Sequence, residues 1–221
     1  MRFFKYHALG NDYLVMNPAD YPGWPAPTPE QIRVICHRNF GAGSDGILWG
    51  PLRATQAQFG LRIFNPDGSE AEKSGNGLRI FAQWLVDVRN APRRFSVWTG
   101  VCLVHCDVGD DVIAVDMGHA SFEPTDVPVI ADAPLLDGAL PGGPWKVCAV
   151  GLGNPHCVVF VDDPDAAPWR ALAPPRPPSP SQRGCPTTWT PSTSGWVPRS
   201  VADWKTGALP CPALGRFSNR R

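Results

Sequence analysis

The proline content of this 221-residue chain rises abruptly after residue 170. Residues 171–221 contain ten prolines, a single acidic residue (Asp203), no isoleucine and no tyrosine. Five of these prolines fall between residues 174 and 180, and they preclude a regular helix or a central strand there. Because the rest of the segment shows neither a helical nor a strand period, we expect regular structure only before residue 171.

Two explanations of this Pro-rich tail remain open. Many prolines and few large apolar residues are typical of a disordered tail. A shifted reading frame in a GC-rich gene would give the same mixture of Pro, Arg, Ser, Gly, Trp and Cys, and the change follows shortly after Trp169. We hypothesise a frameshift, which translation of the neighbouring frames of the coding DNA would test.

The bulk properties disfavour several classes of protein. Twenty basic and twenty acidic residues give a net charge of zero, which favours neither nucleic acid nor an anionic membrane as a partner. No apolar run approaches the ~18 residues of a membrane-spanning helix, and the N-terminus turns polar too soon for a signal peptide. The seven cysteines include no C-x-x-C pair, so we expect reduced thiols and a cytoplasmic location.

Two amphipathic helices are predicted in the first 170 residues. The first begins at a capping box, Thr28–Gln31, and runs to about residue 38. Its expected buried residues are Ile32, Ile35 and Cys36. The second helix, Gly77–Val88, follows a predicted Gly-Asn-Gly turn and carries one apolar stripe at three- and four-residue spacing. The stripe consists of Leu78, Phe81, Ala82, Leu85 and Val88.

Short alternating segments between and after these helices predict strands. They are Arg2–Leu9, Tyr13–Met16, Gln58–Asn65, Phe95–Trp98, Val101–His105, Val112–Met117, Lys146–Val150 and His156–Val161. Many short strands with two amphipathic helices predict an α+β fold in which each sheet wraps around a central helix.

A weak internal repeat indicates two related lobes. Leu9–Val15 is echoed by Leu152–Val158, and each copy contains a Gly-Asn turn signal. We predict a first lobe over residues 1–120 and the start of a second over 121–170, followed by the irregular segment 171–221. Because a second lobe of equal size needs roughly 120 residues, the second lobe is expected to be incomplete.

Three asparagine-bearing stretches could carry chemistry. They contain Asn11, the pair Asn65 and Asn76, and Asn154, and each stretch includes a Gly-containing turn. Such a set suits a zwitterionic amino acid: free N–H groups at the start of the Gly77 helix accept a carboxylate, and uncharged amides both donate and accept. The alternative is that each asparagine only tolerates a left-handed turn.

Four segments together resemble the diaminopimelate epimerase family in identity, order and spacing. They are Phe3–Asp12, Arg38–Gly46, Asn65–Arg79 and Gly153–His156. The resemblance implies a two-lobed α+β isomerase of the lysine and peptidoglycan precursor pathway. Such enzymes invert the α-carbon of an amino acid without pyridoxal phosphate or metal, using one cysteine from each lobe. Thiol and thiolate are both accessible near neutral pH, which suits proton transfer.

The resemblance also implies roles for individual residues. Asn11, Asn65 and Asn154 would contact the substrate. Gly75 and Asn76 would hold its α-carboxylate, and His156 would flank the catalytic site.

The chain departs from the family's pattern at the first catalytic cysteine, where it has Ser74. A hydroxyl is a far weaker acid than a thiol, so inversion would need another activating group. Lys73 beside it is expected to be a solvated surface charge. The cysteines Cys102, Cys106, Cys148 and Cys157 are expected to be small core hydrophobes in strands.

The family's second catalytic turn has no counterpart in the tail. Cys185 and Cys211 are each followed by proline, which removes the N–H that an anion-binding turn requires. Three functions therefore stay open: an epimerase, a non-epimerising isomerase of the same fold, and a non-catalytic chain that binds an amino acid. An incomplete second lobe would expose the apolar faces of 147–150 and 158–161, a route to a homodimer.

Overall fold

A computed structural model of the chain describes residues 1–127, 129, 131–139, 145–152, 155–161 and 163, and the backbone of 216–218. The predictions about Gly153, Asn154, Cys185 and Cys211 lie outside the described residues. So does the frameshift hypothesis, apart from residues 216–218.

The described chain forms two α-helices, one 3-10 turn (Pro18–Asp20) and twelve strands. The helices are α1 (Pro29–Cys36) and α2 (Gly75–Arg89). The strands are β1 (Phe4–Ala8), β2 (Asn11–Met16), β3 (Ile47–Leu52), β4 (Phe59–Phe64), β5 (Glu70–Ala71), β6 (Arg94–Trp98), β7 (Leu103–Val108), β8 (Ile113–Val115), β9 (Gly138–Ala139), β10 (Lys146–Gly151), β11 (Pro155–Val159) and β12 (Arg216–Ser218). Contacts divide the chain into a first unit, Met1–Met117 with β12, and a second unit that begins at Gly118.

The sheet of the first unit wraps around α2. Its strand order is β12-β1-β2-β3-β4-β6-β7-β8, with β5 beside β4. Helix α2 packs against β1 and β2 near one end of this order and against β7 and β8 at the other. Leu78, Phe81 and Leu85 of α2 are completely buried in the resulting core. The predicted α+β fold with a central helix is confirmed for this unit.

A second core covers the other face of the sheet. Along β2, Tyr13 and Val15 point into the α2 core, whereas Leu14 and Met16 join Ile32 of α1. Alternate residues of a strand face opposite sides, so β2 is buried on both faces. Strand β2, which begins at the predicted site residue Asn11, is therefore packed between two layers.

Capping sets the start of both helices. At α1 the Thr28 and Gln31 capping box is present, as predicted. At α2 the cap is Ser74, so the predicted Gly-Asn-Gly turn is wrong: Gly75, Asn76 and Gly77 form the first turn of the helix. Ser74 Oγ accepts a hydrogen bond from the backbone N–H of Gly77, the third helical residue, and this cap stabilises the glycines in a helical conformation.

Several burial predictions need correction. Ile32 and Cys36 of α1 are buried, but Ile35 is only half-buried. Val88, at the end of the α2 stripe, is 36% exposed. The stripe is wider than predicted, because Ile80 and Trp84 are also fully buried where the sheet curves around the helix.

Four strands, β3, β5, β9 and β12, were not predicted; β9, like β5, has only two residues. In β3, which pairs parallel with β2, Gly50 and Pro51 interrupt the alternation of side chains. Strand β5 has only two residues, too few for a period. Strand β12 pairs antiparallel with β1, so the expectation of no regular structure after residue 170 is wrong at 216–218.

The second unit contains an antiparallel sheet of order β11-β10-β9. A bridge from Ser121 to Gly151 adds a further pair of backbone hydrogen bonds. Val147 and Val159 are buried, so the predicted exposure of this apolar face is wrong at these two residues. Within the described part of the chain, no helix is long and apolar enough to cross a membrane.

Candidate active site

The first turn of α2 leaves two backbone donors available. Ser74 Oγ accepts the N–H of Gly77 at 3.0 Å, and the Ser74 carbonyl accepts the N–H of Leu78 at 2.8 Å. The N–H groups of Gly75 and Asn76 have no hydrogen-bond partner among the described residues. Unpaired N–H groups at a helix start, with the positive end of the helix dipole, are suited to an anion.

Ser74 is also joined to strand β2. Its hydroxyl lies 3.1 Å from the Tyr13 hydroxyl. The Tyr13 ring packs on Gly46, where a Cβ would lie 2.6 Å from the ring and 2.5 Å from the Phe64 carbonyl oxygen. Burial raises the pKa of Tyr13, so its phenol stays protonated at neutral pH. Neither partner of the Ser74 side chain is a base that could take its proton.

Lys73 does not activate the serine. Its Nζ donates to the Met117 carbonyl at 2.8 Å, and the side chain is half-buried. The prediction of a solvated surface charge is therefore wrong, because this carbonyl replaces water as the partner of the ammonium.

Asn11 and Asn76, two of the predicted site residues, are hydrogen-bonded to each other. Asn76 Nδ2 donates to Asn11 Oδ1 at 3.3 Å, and Asn11 Nδ2 donates to Asp45 Oδ2 at 3.0 Å. Arg79 donates to Asn76 Oδ1 from the next turn of α2. Asn11 starts β2 and Asn76 lies in α2, and neither has a positive φ, so left-handed turns do not explain these asparagines.

Charged residues fix the loop that carries Asp45. Arg38 Nη2 bonds Asp12 Oδ1 at 2.7 Å and Asp45 Oδ1 at 2.6 Å, and Lys5 Nζ lies 3.0 Å from Asp12. Burial raises the pKa of the Asp12 carboxyl, but hydrogen bonds from Arg38 and Lys5 outweigh burial, and the pKa lies below its usual value. The segment 38–46 is thereby fastened to the start of β2.

Asn65 lies in the turn between β4 and β5. Its Nδ2 donates to Ser69 Oγ at 3.0 Å, and its backbone N–H donates to the Ser69 carbonyl at 2.8 Å. These hydrogen bonds stabilise the turn. None of the hydrogen bonds between described residues links Asn65 to Asn11, Ser74 or Asn76.

His156 belongs to the second unit, in β11 opposite Val150. It is half-buried, and burial lowers its pKa. Asn154, predicted with it, lies outside the described residues.

The cysteines differ from one another in burial. Cys106 is a core residue, as predicted, and burial raises its pKa to about 12. Cys157 is exposed, so the core prediction is wrong for this residue. Cys102 packs half-buried against the core, but it precedes β7 rather than lying in it. No group of three or more His, Cys, Asp or Glu residues that could hold a metal lies in the described ranges.

Comparison with known proteins decides the family. Residues 3–123, more than half of the chain, match the sequence profile of diaminopimelate epimerase. The chain belongs to the diaminopimelate epimerase family.

Relatives within the diaminopimelate epimerase family are longer than this chain. It is 54% identical over 169 residues to diaminopimelate epimerase 2 of Nostoc sp., covering 74% of this chain and 59% of that protein. It is 37% identical over 181 residues to the enzyme of Synechococcus elongatus, covering 79% and 64%. The chain thus spans less than two thirds of the length of these relatives.

Two solved structures share the fold. A hydroxyproline epimerase from Agrobacterium vitis aligns with a TM-score of 0.52 at 16% identity, covering 73% of this chain and 53% of that one. A phenazine biosynthesis protein from Bacillus anthracis aligns with a TM-score of 0.51 at 15% identity, covering 75% and 57%. At these identities the similarity concerns the fold alone.

The family motifs also contain residues that the sequence did not single out. Asp45 and Arg38 lie in the segment 38–46, and Arg79 ends the segment 65–79. Each has a charge that contacts a predicted site residue or its neighbour. A search for charged residues inside the epimerase motifs would have found them.

Proposed function

We propose that this chain is the amino-acid-binding part of a diaminopimelate epimerase that works without pyridoxal phosphate or metal. In this proposal the N-terminus of α2 receives the α-carboxylate on the N–H groups of Gly75 and Asn76. Asn11 contacts the same substrate. Asn65, Asn154 and His156 are proposed further site residues on the family resemblance. We also propose a cytoplasmic homodimer that binds no nucleic acid.

One observation carries this proposal: the two available N–H groups at the start of a fifteen-residue helix lie beside the paired amides of Asn11 and Asn76. The helix dipole and these donors favour a negative ligand group. The family match covers all of these residues.

The proton-transfer step of the reaction has less support than amino-acid binding. Ser74 stands at the place of the family's first catalytic cysteine, and its hydroxyl contacts a phenol and an amide. Without a base, a serine hydroxyl at this place does not remove an α-proton at a useful rate. This observation supports, as the second candidate function, amino-acid binding without inversion.

Solvent deuterium exchange separates the two candidates. The chain is incubated in D2O with meso-diaminopimelate, and deuterium at the α-carbons is measured by mass spectrometry, with affinity measured by calorimetry. We expect the wild type to bind with little exchange. We expect Ser74→Cys to raise the exchange rate by at least about tenfold, because a thiolate is accessible at neutral pH.

Ser74→Ala is the matched control, since it removes the hydroxyl without adding a thiol. Exchange in the wild type that Ser74→Ala abolishes would show that the serine itself transfers the proton. Absence of diaminopimelate binding in a folded wild type would contradict the proposal.

A further inference from the structure

Four side chains at the candidate site form a row of hydrogen bonds that all run in one direction. Arg79 donates to Asn76 Oδ1, Asn76 Nδ2 donates to Asn11 Oδ1 at 3.3 Å, and Asn11 Nδ2 donates to Asp45 Oδ2 at 3.0 Å. The row begins at a cation on α2 and ends at a carboxylate in the 38–46 segment.

The charged ends determine which way each amide points. A guanidinium has only donors and an ionised carboxylate has only acceptors. If Asn11 turned its amide over, its Oδ1 would face the Asp45 carboxylate and two acceptors would meet. If Asn76 turned over, its Nδ2 would face the Arg79 guanidinium and two donors would meet. Each reversal costs a hydrogen bond in a partly buried place.

Asp45 accepts hydrogen bonds on both of its carboxylate oxygens. Its Oδ1 accepts from Arg38 at 2.6 Å, and its Oδ2 accepts both the Asn11 amide and the backbone N–H of Asp12 at 3.1 Å. Both oxygens are therefore committed. A carboxamide here could accept at only one atom, so Asn11 or Arg38 would lose its partner.

The guanidinium of Arg79 lies close to the proposed carboxylate site. Its Nη1 is 3.6 Å from the position that a Cβ on Gly75 would take, so the guanidinium folds back to the start of α2. A cation at a helix N-terminus opposes the helix dipole. A bound carboxylate would accept hydrogen bonds from the N–H groups of Gly75 and Asn76 and would interact favourably with the nearby positive charge of Arg79.

We propose that Asp45 and Arg79 are positioning residues that act through Asn11 and Asn76. They hold each amide so that one N–H enters the row and the second N–H is presented to the ligand. Together with the backbone donors of α2, the site then offers donors to a carboxylate and discriminates against a neutral carboxamide. This role rests on the proposed function, because it assigns specificity at the same site.

Side-chain NH2 signals of the full chain, labelled with ¹⁵N-asparagine, test the row directly. Asn11→Ser and Asn76→Ser assign the two signals. In the wild type we expect one proton of each NH2 pair to be shifted downfield and slow to exchange with water. Asp45→Asn removes this signature at Asn11, and Arg79→Met removes it at Asn76. The surface pair Arg94 and Asp107 supplies the controls Arg94→Met and Asp107→Asn, which leave both signatures in place.

Affinity measurements test the specificity role. We expect Asp45→Asn and Arg79→Met to weaken binding of meso-diaminopimelate by about tenfold, the factor for one hydrogen bond of ordinary net strength. Binding of the corresponding diamide changes less, so the preference for the carboxylate falls. Arg79→Lys, which keeps a donor, retains most of the preference.

The outcomes separate this inference from the proposed function. Two results would overturn the proposed positioning role of Asp45 and Arg79. One is a wild type without the NH2 signature, and the other is an Asp45→Asn variant with unchanged signals and unchanged preference. A wild type that shows the signature but binds no diaminopimelate overturns the proposed function, and with it the role of the row in recognition.

Discussion

At the scale of single residues, Ser74 caps a helix and also stands at the place of the family's first catalytic cysteine, and both roles involve its Oγ atom. Its Oγ caps α2 through Gly77 and bonds Tyr13, which lies 61 positions earlier in the chain. The sequence identified Ser74 through the Gly-Asn-Gly motif beside it. It could not identify Tyr13, because that contact depends on how β2 packs against α2.

Ser74→Ala should lower the free energy of unfolding by about 1 kcal/mol, the usual cost of losing a helix N-cap side chain. Urea denaturation of both proteins measures the change. Thr55→Ala, at an exposed threonine outside the helices, is the control and should change stability little. An unchanged unfolding free energy in Ser74→Ala would show that the cap adds nothing to stability.

Asp12 should make the first unit sensitive to acid. Its pKa in the folded protein lies below the ordinary value of 3.8, so the unfolded state takes up the proton first as the pH falls. The stabilisation is complete above pH 3.8 and is lost between that value and the lower folded-state pKa. Urea unfolding across this range should show a smaller pH dependence in Asp12→Asn. Equal slopes for both proteins would contradict this account.

At the scale of elements, the sequence predicted best where a period was long and uninterrupted. The stripe from Leu78 to Leu85 in α2 is buried as expected. Strand β3 was missed because Gly50 and Pro51 break the alternation, and β12 because three residues show no period. The start of α2 was misplaced because glycines weaken a helix, and Ser74 reverses that preference by capping.

Asn90 ends α2 in the left-handed conformation, with φ 52°. A residue with a Cβ and no polar side chain is strained there, so Asn90→Ala should lower the free energy of unfolding by about 1 kcal/mol. Asn90→Gly is the matched control, because glycine adopts this conformation without strain, and it should be at least as stable as the wild type. Thermal unfolding of the three proteins measures the order. An alanine variant as stable as the glycine variant would contradict it.

At the scale of the whole molecule, one helix supports the core of the first unit and carries half of the candidate site. The buried face of α2 packs inside the curved sheet, while its first turn presents Gly75 and Asn76. The sequence predicted a central helix and these two residues. It did not predict the charged group around Asp45, because those contacts join three separate segments.

Phe81, completely buried in α2, tests the core. Phe81→Ala should destabilise the protein by about 3–5 kcal/mol, the range for removing a buried aromatic ring. Phe40→Ala removes the same ring at a site that is 85% exposed and should have little effect. Chemical denaturation compares the two variants. Similar losses in both would mean that α2 is not the centre of the core.

The most direct test of the proposed function is to titrate the ¹⁵N-labelled protein with meso-diaminopimelate and follow the backbone amide signals by NMR. We predict saturable shifts centred on Gly75 and Asn76, whose N–H groups are available, and smaller shifts at Gly77, whose N–H is held by Ser74. Asn76→Ala should weaken the response. Shifts that are absent, or that lie away from the first turn of α2, would contradict the assignment of this helix end as the amino-acid site.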